Sequence, residues 1–134
     1  MDDDKKYDLT LQRTGRRLQK AKQEWRERIP EDAFVVILTG KLKGSKMILV
    51  SHCTTMGRAV SCNIQLSDRM VSGSHAEIIR RNDTYTIRDL DSSNGTFVNG
   101  SKVKGGGREL TNGDRITIGI TEMIFTDPKQ PHGT

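Results

Sequence analysis

Four short clusters in the sequence combine the residue types that hold phosphate groups. They are Gly57-Arg58, Ser72-Gly73-Ser74-His75, the run from Asp91 to Thr96 (DSSNGT), and Asn99-Gly100. An arginine guanidinium makes planar, charge-assisted hydrogen bonds to phosphate oxygens, and serine hydroxyls and backbone N–H groups can complete the shell. Acidic residues, which would repel a phosphate, are few in these clusters. The clusters therefore predict a site that binds a phosphate monoester and does not cleave it.

Catalytic and metal sites are disfavoured by the same residues. Ser72, His75 and Asp89 could form a triad only by chance, since no nucleophile-elbow pattern surrounds the serine. Cys53 and Cys62 stand nine positions apart, without a second cysteine pair or a matching histidine set, so we expect reduced thiols, no metal and no cofactor. The chain is predicted not to be an enzyme.

The clusters lie between short segments with the texture of β-strands. From Ala33 onward, apolar or alternating runs are interrupted every eight to twelve residues by turn formers, which is typical of an all-β sandwich. Asn99-Gly100 and Asn112-Gly113 predict tight type I′ turns. The predicted strands are Phe34–Leu38, Met47–Val50, Thr55–Arg58, Ile64–Leu66, Ala76–Arg80, Tyr85–Asp89, Thr96–Val98, Arg115–Ile118 and Met123–Thr126.

The first 32 residues differ in character from the rest of the chain. They hold nine Lys/Arg and eight Asp/Glu, and apolar residues recur at helical spacing between Leu11 and Ile29. Pro30 would end such a helix. We therefore predict a basic helical or flexible extension over 1–32, a sandwich domain over 33–127 and a flexible tail or linker over 128–134.

Length and composition limit what the chain can be. It has 134 residues, of which 33% are hydrophobic, 4% are aromatic and two are cysteines, so we expect one domain with a modest aliphatic core rather than a large enzyme. No apolar stretch is long enough to span a membrane. The formal net charge of +5 favours an anionic partner in general without identifying it. We expect a cytoplasmic protein, or a nuclear one in a eukaryote.

The order of the clusters resembles that of a forkhead-associated (FHA) domain. The resemblance covers about residues 33–127 and rests on five motifs in the family's order. They are Gly57-Arg58 with Asn63–Leu66, Val71-Ser72-x-x-His75-Ala76, Asp89–Thr96, Asn99-Gly100, and Leu110–Asp114 leading to Gly119. The family implies an eleven-stranded antiparallel β-sandwich, here preceded by a short N-terminal helical segment. It also implies a non-catalytic module that binds phosphothreonine in partner proteins.

The resemblance also implies residue roles. Arg58 and Ser72 would hold the phosphate, with Gly73, Ser74 and Ser93 adding contacts. Asn94 would bind the peptide backbone, while Asn99 would touch the peptide or support the neighbouring loop. Gly57, His75, Gly95 and Thr96 would support the site. Gly73 departs from the family, which often has a polar or basic residue there, so Ser74 or a backbone amide must compensate or affinity falls.

The predicted function is docking of partner proteins phosphorylated by Ser/Thr kinases, with signal transduction as its setting. A basic Lys102–Arg108 loop makes an acidic flank a weak expectation for the partner peptide. Alternatively, the sandwich is a constitutive scaffold with a degenerate phosphate site, the reading that Gly73 favours.

Four further roles concern the N-terminal segment. The basic helix over Arg13–Arg28 could bind an anionic partner, although interspersed acids and the single ring of Trp25 disfavour nucleic acid. It could instead pack across the sandwich or self-associate through Trp25 and Leu18. Phosphorylated Thr10 or Thr14 could also occupy the phosphate site of the same molecule.

Overall fold

The computed structural model describes residues 32–130, and the predicted N-terminal helix lies outside them. The described residues form eleven β-strands and no α-helix, which confirms the all-β prediction and the strand count. The strands are β1 (Phe34–Ile37), β2 (Lys46–Ile48), β3 (Cys53–Gly57), β4 (Ile64–Gln65), β5 (Ala76–Arg81), β6 (Thr84–Asp89), β7 (Thr96–Val98), β8 (Ser101–Lys102), β9 (Arg108–Glu109), β10 (Arg115–Ile118) and β11 (Thr121–Thr126).

Two sheets share these strands. One has the order β2-β1-β11-β10-β7-β8 and the other β4-β3-β5-β6-β9. Every pairing is antiparallel except that of β3 with β4, which is parallel and joins Met56 to Ile64 and Gly57 to Gln65. The prediction of an antiparallel sandwich therefore needs this one amendment, because the chain crosses over between β3 and β4 instead of turning back in a hairpin.

The core lies between the sheets and comes from residues that alternate along the strands. Along β11, Met123 and Phe125 are fully buried, while the residues between and beside them are half-buried. The ring of Phe125 packs against that of Tyr85 from the other sheet at 5.4 Å between centroids. Alternation that buries one face of each strand sets the register, since a slip of one residue would expose that face.

The two turns predicted as type I′ differ from each other in backbone geometry. Asn99 and Gly100 have φ values of 51° and 84°, as a type I′ turn between β7 and β8 requires. At the second turn only Gly113 has positive φ, so the type I′ prediction for Asn112-Gly113 is wrong. That turn passes from β9 in one sheet to β10 in the other and is not a hairpin, so it need not match the twist of paired strands.

Residues 129 and 130, which follow β11, make polar contacts with the sandwich. Lys129 forms a salt bridge with Asp83 at 2.7 Å, and the side chain of Gln130 accepts a hydrogen bond from the N–H of Asn112 at 2.7 Å. Residues 128–130 of the predicted flexible tail are therefore held against the sandwich by polar contacts.

Candidate functional site

Arg58 follows β3 directly and is exposed. Its backbone N–H donates to the carbonyl of Ser72 at 3.0 Å, which joins the ends of the first two predicted clusters. Within residues 32–130 its guanidinium makes no hydrogen bond or ion pair, so the charge is available to a ligand. Gly57 makes this approach possible, because a Cβ there would lie 2.2 Å from the carbonyl oxygen of Gly73.

The hydroxyl of Ser72 is oriented by the loop between β6 and β7. Its Oγ accepts a hydrogen bond from the N–H of Ser93 at 3.0 Å. A hydroxyl has one proton and two lone pairs, so this contact leaves the Ser72 proton free to be donated. The same bond brings Ser93 beside Ser72, as the motif order predicts.

His75 is fully buried and cross-links the two loops. Its Nδ1 accepts a hydrogen bond from the N–H of Ser72 at 3.0 Å. Its Nε2 must then carry the proton, and it donates to the carbonyl of Gly95 at 2.8 Å. Both ring nitrogens are used, so His75 has no nitrogen with which to activate a serine hydroxyl, and the rejected triad is not formed.

Asp89 organises the loop that carries Ser93 and Asn94. Its carboxylate accepts hydrogen bonds from the N–H and hydroxyl of Ser92 and from the hydroxyl of Thr96. Ser92 Oγ in turn accepts from the N–H of Gly95 at 2.9 Å. Partial burial opposes ionisation, but these hydrogen bonds hold the pKa of Asp89 below its ordinary value. Gly95 and Thr96 thus lie in the framework of the site.

Asn94 is exposed and attached at only one end of its amide. Its Nδ2 donates to the carbonyl of Met70 at 2.8 Å. No residue within 32–130 uses its Oδ1 or the second amide proton, so both can pair with an extended peptide backbone.

Asn99 lies in a different hydrogen-bond network. Its Nδ2 donates to Asp114 at 2.9 Å, and its Oδ1 accepts from the N–H of Arg115 at 2.9 Å. Both ends of the amide are therefore used by the start of β10, so these contacts favour the supporting role over contact with a peptide.

Gly73 and Ser74 form the exposed rim of the site. A Cβ on Gly73 would meet nothing within 4 Å, so the position is open to solvent. The carbonyl of Gly73 accepts hydrogen bonds from the N–H of Ala59 at 3.1 Å and from Cys62 Sγ at 3.2 Å. No residue of 32–130 accepts from the N–H groups of Gly73 or Ser74, so both can donate to an anion.

The structure brings most predicted site residues together at one end of the sandwich. Arg58, Ser72, Gly73, Ser74, Ser93 and Asn94 occupy connected loops, with Gly57, His75, Gly95 and Thr96 beneath them. Asn99 is the exception. These residues offer the guanidinium of Arg58, three serine hydroxyls and the unused N–H groups of Gly73 and Ser74 to an anionic ligand.

Three residues that hold the site were absent from the prediction. Asp89 is the acceptor for Ser92 and Thr96, and the spacing Asp-x-x-Ser could have indicated it as a turn-forming residue. Cys62 and Met70 gave no signal, because the partner atoms lie eleven and twenty-four positions away along the chain. Both cysteines are free, as predicted.

Two negative results apply to residues 32–130 alone. No group of three or more His, Cys, Asp or Glu side chains there is arranged to hold a metal ion. That range also contains no helix of the length and apolar character needed to cross a membrane.

Solved structures of FHA domains share this fold. An FHA domain studied for phosphothreonine-dependent interactions matches with a TM-score of 0.66 and 29% identity, over 75% of this chain and 98% of that one. The FhaA FHA domain complexed with the intracellular domain of Rv3910 matches with a TM-score of 0.64 and 30% identity, over 69% and 98%.

Sequence comparison gives the same class. A family model for the FHA domain matches residues 54–119. The oxoglutarate dehydrogenase inhibitor of Corynebacterium jeikeium is 38% identical over 100 residues, which are 74% of this chain and 68% of that protein. The glycogen accumulation regulator GarA of Mycobacterium tuberculosis H37Rv is 37% identical over 102 residues, which are 75% of this chain and 62% of GarA.

These matches show that the chain belongs to the FHA family, as the motif order predicted. It is therefore a protein-interaction module. The chain spans 62% of the length of GarA, so the activity of that whole regulator does not transfer to it directly.

Proposed function

We propose that this chain binds phosphothreonine peptides and so docks partner proteins that a Ser/Thr kinase has modified. The observation that carries the proposal is the backbone hydrogen bond between Arg58 and Ser72. It brings together two loops that carry a guanidinium unpaired within residues 32–130 and a serine hydroxyl whose proton is free. A phosphate ester adds a charge of about −1.5 to −2 and three strong acceptor oxygens, which match these donors. The relatives described above, among them a domain with phosphothreonine-dependent interactions, support the same reading.

Each site residue has a role in this proposal. Arg58 and Ser72 bind the phosphate, and the N–H groups of Gly73 and Ser74 complete its shell. Ser93 adds a further contact through its hydroxyl, and Asn94 pairs with the peptide backbone. Asn99 acts as a support, because its amide is already bonded to Asp114 and Arg115.

The bound phosphate is recognised without being cleaved. His75 has both ring nitrogens engaged, and Asp89 accepts three hydrogen bonds from its own loop that hold its pKa below the ordinary value. Neither group can act as a general base toward a water molecule at the phosphate. We therefore propose that the chain has no enzymatic activity. Its FHA family and its GarA relatives support a cytoplasmic location.

Binding of one degenerate peptide set in three forms tests the proposal. With phosphothreonine at the centre, we expect dissociation constants near the micromolar range, about −8 kcal/mol, because a few loop contacts must order a flexible peptide. Phosphoserine should bind about tenfold or more weakly, since it lacks one methyl group. Fluorescence anisotropy measures all three. Equal binding of unmodified threonine would contradict the proposal.

A second candidate is a constitutive scaffold whose phosphate site is degenerate, and Gly73 is the observation that favours it. The open space at Gly73 leaves the rim without a side chain. This candidate predicts partner binding that ignores both the phosphate and Arg58, so the same peptide set separates the two.

The missing rim side chain leads to a prediction of its own. Gly73→Lys should raise phosphothreonine-peptide affinity about twofold to fivefold, because the position is exposed and sterically open and a lysine would add about 0.5–1 kcal/mol of attraction near the phosphate. Titration with the peptide set measures the change. Gly106→Lys, at another open glycine, is the matched control and should have no effect. Unchanged affinity in Gly73→Lys would place the phosphate away from this rim.

A further inference from the structure

Asp68 is a buried carboxylate in the chain between β4 and β5, the same loop that carries Ser72. It is 6% exposed and forms no salt bridge in the described part of the chain. A buried charge without a counter-ion is costly unless hydrogen bonds replace the water that it has lost. The donors that face Asp68 therefore indicate which parts of the molecule this charge holds.

The carboxylate joins its own loop to the turn between β10 and β11. Its Oδ1 accepts a hydrogen bond from the N–H of Met70 at 2.8 Å. Its Oδ2 accepts two more at 2.8 Å, from the N–H of Ile120 and from the hydroxyl of Thr121. Burial opposes ionisation, but these hydrogen bonds hold the pKa of Asp68 below its ordinary value. The charged carboxylate thus connects the two segments.

The backbone that follows Asp68 forms a tight turn. The N–H of Met70 donates to the side chain of Asp68, as in an Asx-turn, and the N–H of Val71 donates to the Asp68 carbonyl at 3.0 Å. The turn between β10 and β11 packs directly on it, because a Cβ at Gly119 would lie 2.7 Å from Asp68 Oδ2 and 3.0 Å from Met70 Cβ. The position of Met70 is therefore set by both segments.

Met70 in turn orients Asn94. Its carbonyl accepts the hydrogen bond from Asn94 Nδ2 at 2.8 Å, which is the one contact of that amide within residues 32–130. The direction of the free Oδ1 and of the second amide proton thus depends on where the Met70 carbonyl lies. Ser72 has separate supports, since it is bonded to His75 and to the N–H of Ser93.

We propose that Asp68 is a positioning residue for Asn94 and acts on it through Met70. The carboxylate holds the Met70 carbonyl where it fixes one end of the Asn94 amide, so that the other end meets the peptide backbone. Asp68 then supports recognition of the peptide and has no part in recognition of the phosphate group. The inference rests on the proposed phosphothreonine function and adds to it a residue that touches no ligand.

Asp68→Ala separates the two kinds of recognition. We expect it to bind a phosphothreonine peptide about tenfold more weakly, the equivalent of one or two neutral hydrogen bonds. Its affinity for inorganic phosphate should stay at the wild-type value, because Arg58 and Ser72 are held independently. Calorimetry measures the peptide, and NMR chemical-shift titration measures phosphate. Asp68→Asn keeps a carbonyl oxygen that can accept from Met70, so it should recover most of the peptide affinity.

A double-mutant cycle tests whether Asp68 acts through Asn94. Asn94→Ala should weaken peptide binding by a similar factor, and Asp68→Ala should add little to it in the double variant, because the amide that it positions is gone. Independent effects of the two substitutions would overturn the inference. Peptide and phosphate affinities that fall by the same factor in Asp68→Ala would also overturn it, since they would show a general defect of the loop.

Asp127→Ala is the matched control for the loss of a buried carboxylate. Asp127 is 2% exposed and forms the same kind of turn. Its side chain accepts from the N–H of Lys129 at 3.0 Å, and its carbonyl accepts from the N–H of Gln130 at 3.1 Å. It follows the end of β11, whereas Asp68 contacts the start of that strand. Asp127→Ala should lose stability but bind both ligands as the wild type does.

Gly119→Ala tests the same contact without removing the carboxylate, and it replaces Asp68→Ala if that variant does not fold. The added methyl group would displace Asp68 and Met70 and leave their hydrogen-bonding groups in place. Peptide binding should weaken while phosphate binding stays unchanged. Gly113→Ala is the control, because that glycine also has positive φ but a Cβ there meets nothing within 4 Å. Equal peptide binding by the two glycine variants would contradict the inference.

The failure of the two proposals can be distinguished. If the wild type binds the peptide in a phosphate-dependent way and Asp68→Ala or Gly119→Ala binds it equally well, the positioning inference is wrong and the phosphothreonine function stands. If the wild type binds no phosphopeptide, both are wrong.

Discussion

Arg58→Ala is expected to weaken phosphothreonine-peptide binding about 100-fold or more. Arg58 supplies a positive charge on the loop bonded to Ser72, and each charge-assisted hydrogen bond to a phosphate oxygen contributes about 1.5–3 kcal/mol. The loss of two such bonds corresponds to at least two orders of magnitude in the dissociation constant. Isothermal titration calorimetry with one phosphothreonine peptide measures the change.

Stability should be unaffected in the same variant, because the Arg58 side chain is exposed and only its backbone is bonded to Ser72 and Gln65. Arg58→Lys should have an intermediate affinity, since it keeps the charge but not the planar, bidentate geometry. Arg81→Ala, at the far end of β5, removes an exposed arginine away from the site and should bind normally. Binding that persists in Arg58→Ala would contradict the proposed function.

His75→Ala should lower the free energy of unfolding by about 3–5 kcal/mol. The substitution removes two hydrogen bonds, leaves the Ser72 N–H and the Gly95 carbonyl without partners, and opens a cavity where a fully buried ring was packed. This is a large share of the total stability of a small domain, about 5–15 kcal/mol. Denaturation by urea, followed by circular dichroism, measures the loss.

The matched control for that experiment is His52→Ala. His52 is exposed, and its side chain makes no hydrogen bond within residues 32–130, so the stability should stay near that of the wild type. Molecules of His75→Ala that remain folded should also bind phosphopeptides more weakly, because Ser72 and Gly95 are no longer tied together. Wild-type stability in His75→Ala would show that the ring does not hold the two loops.

Much of the sandwich can be predicted from local patterns. The alternation of Tyr85 with Ile87 and of Met123 with Phe125 correctly predicts which face of each strand is buried. Local patterns do not predict the two-residue strands β8 and β9, because an alternation of buried and exposed residues cannot be recognised in so few residues. Their existence followed only from the family resemblance.

Local patterns also predict which residue types make up the candidate site. They do not predict the hydrogen bonds that join those residues. The sequence by itself determines that the serines and Asn94 lie in loops, because turn-forming residues and short strands are read within a few positions. It predicts Arg58 as the last residue of a strand, whereas the strand ends at Gly57. Only the tertiary structure decides that Ser93 N–H reaches Ser72 Oγ, that Cys62 bonds to Gly73, and that Asn99 bonds to Asp114. These contacts join residues eleven to twenty-one positions apart, and they depend on the crossover and pairing of strands, which no local pattern contains.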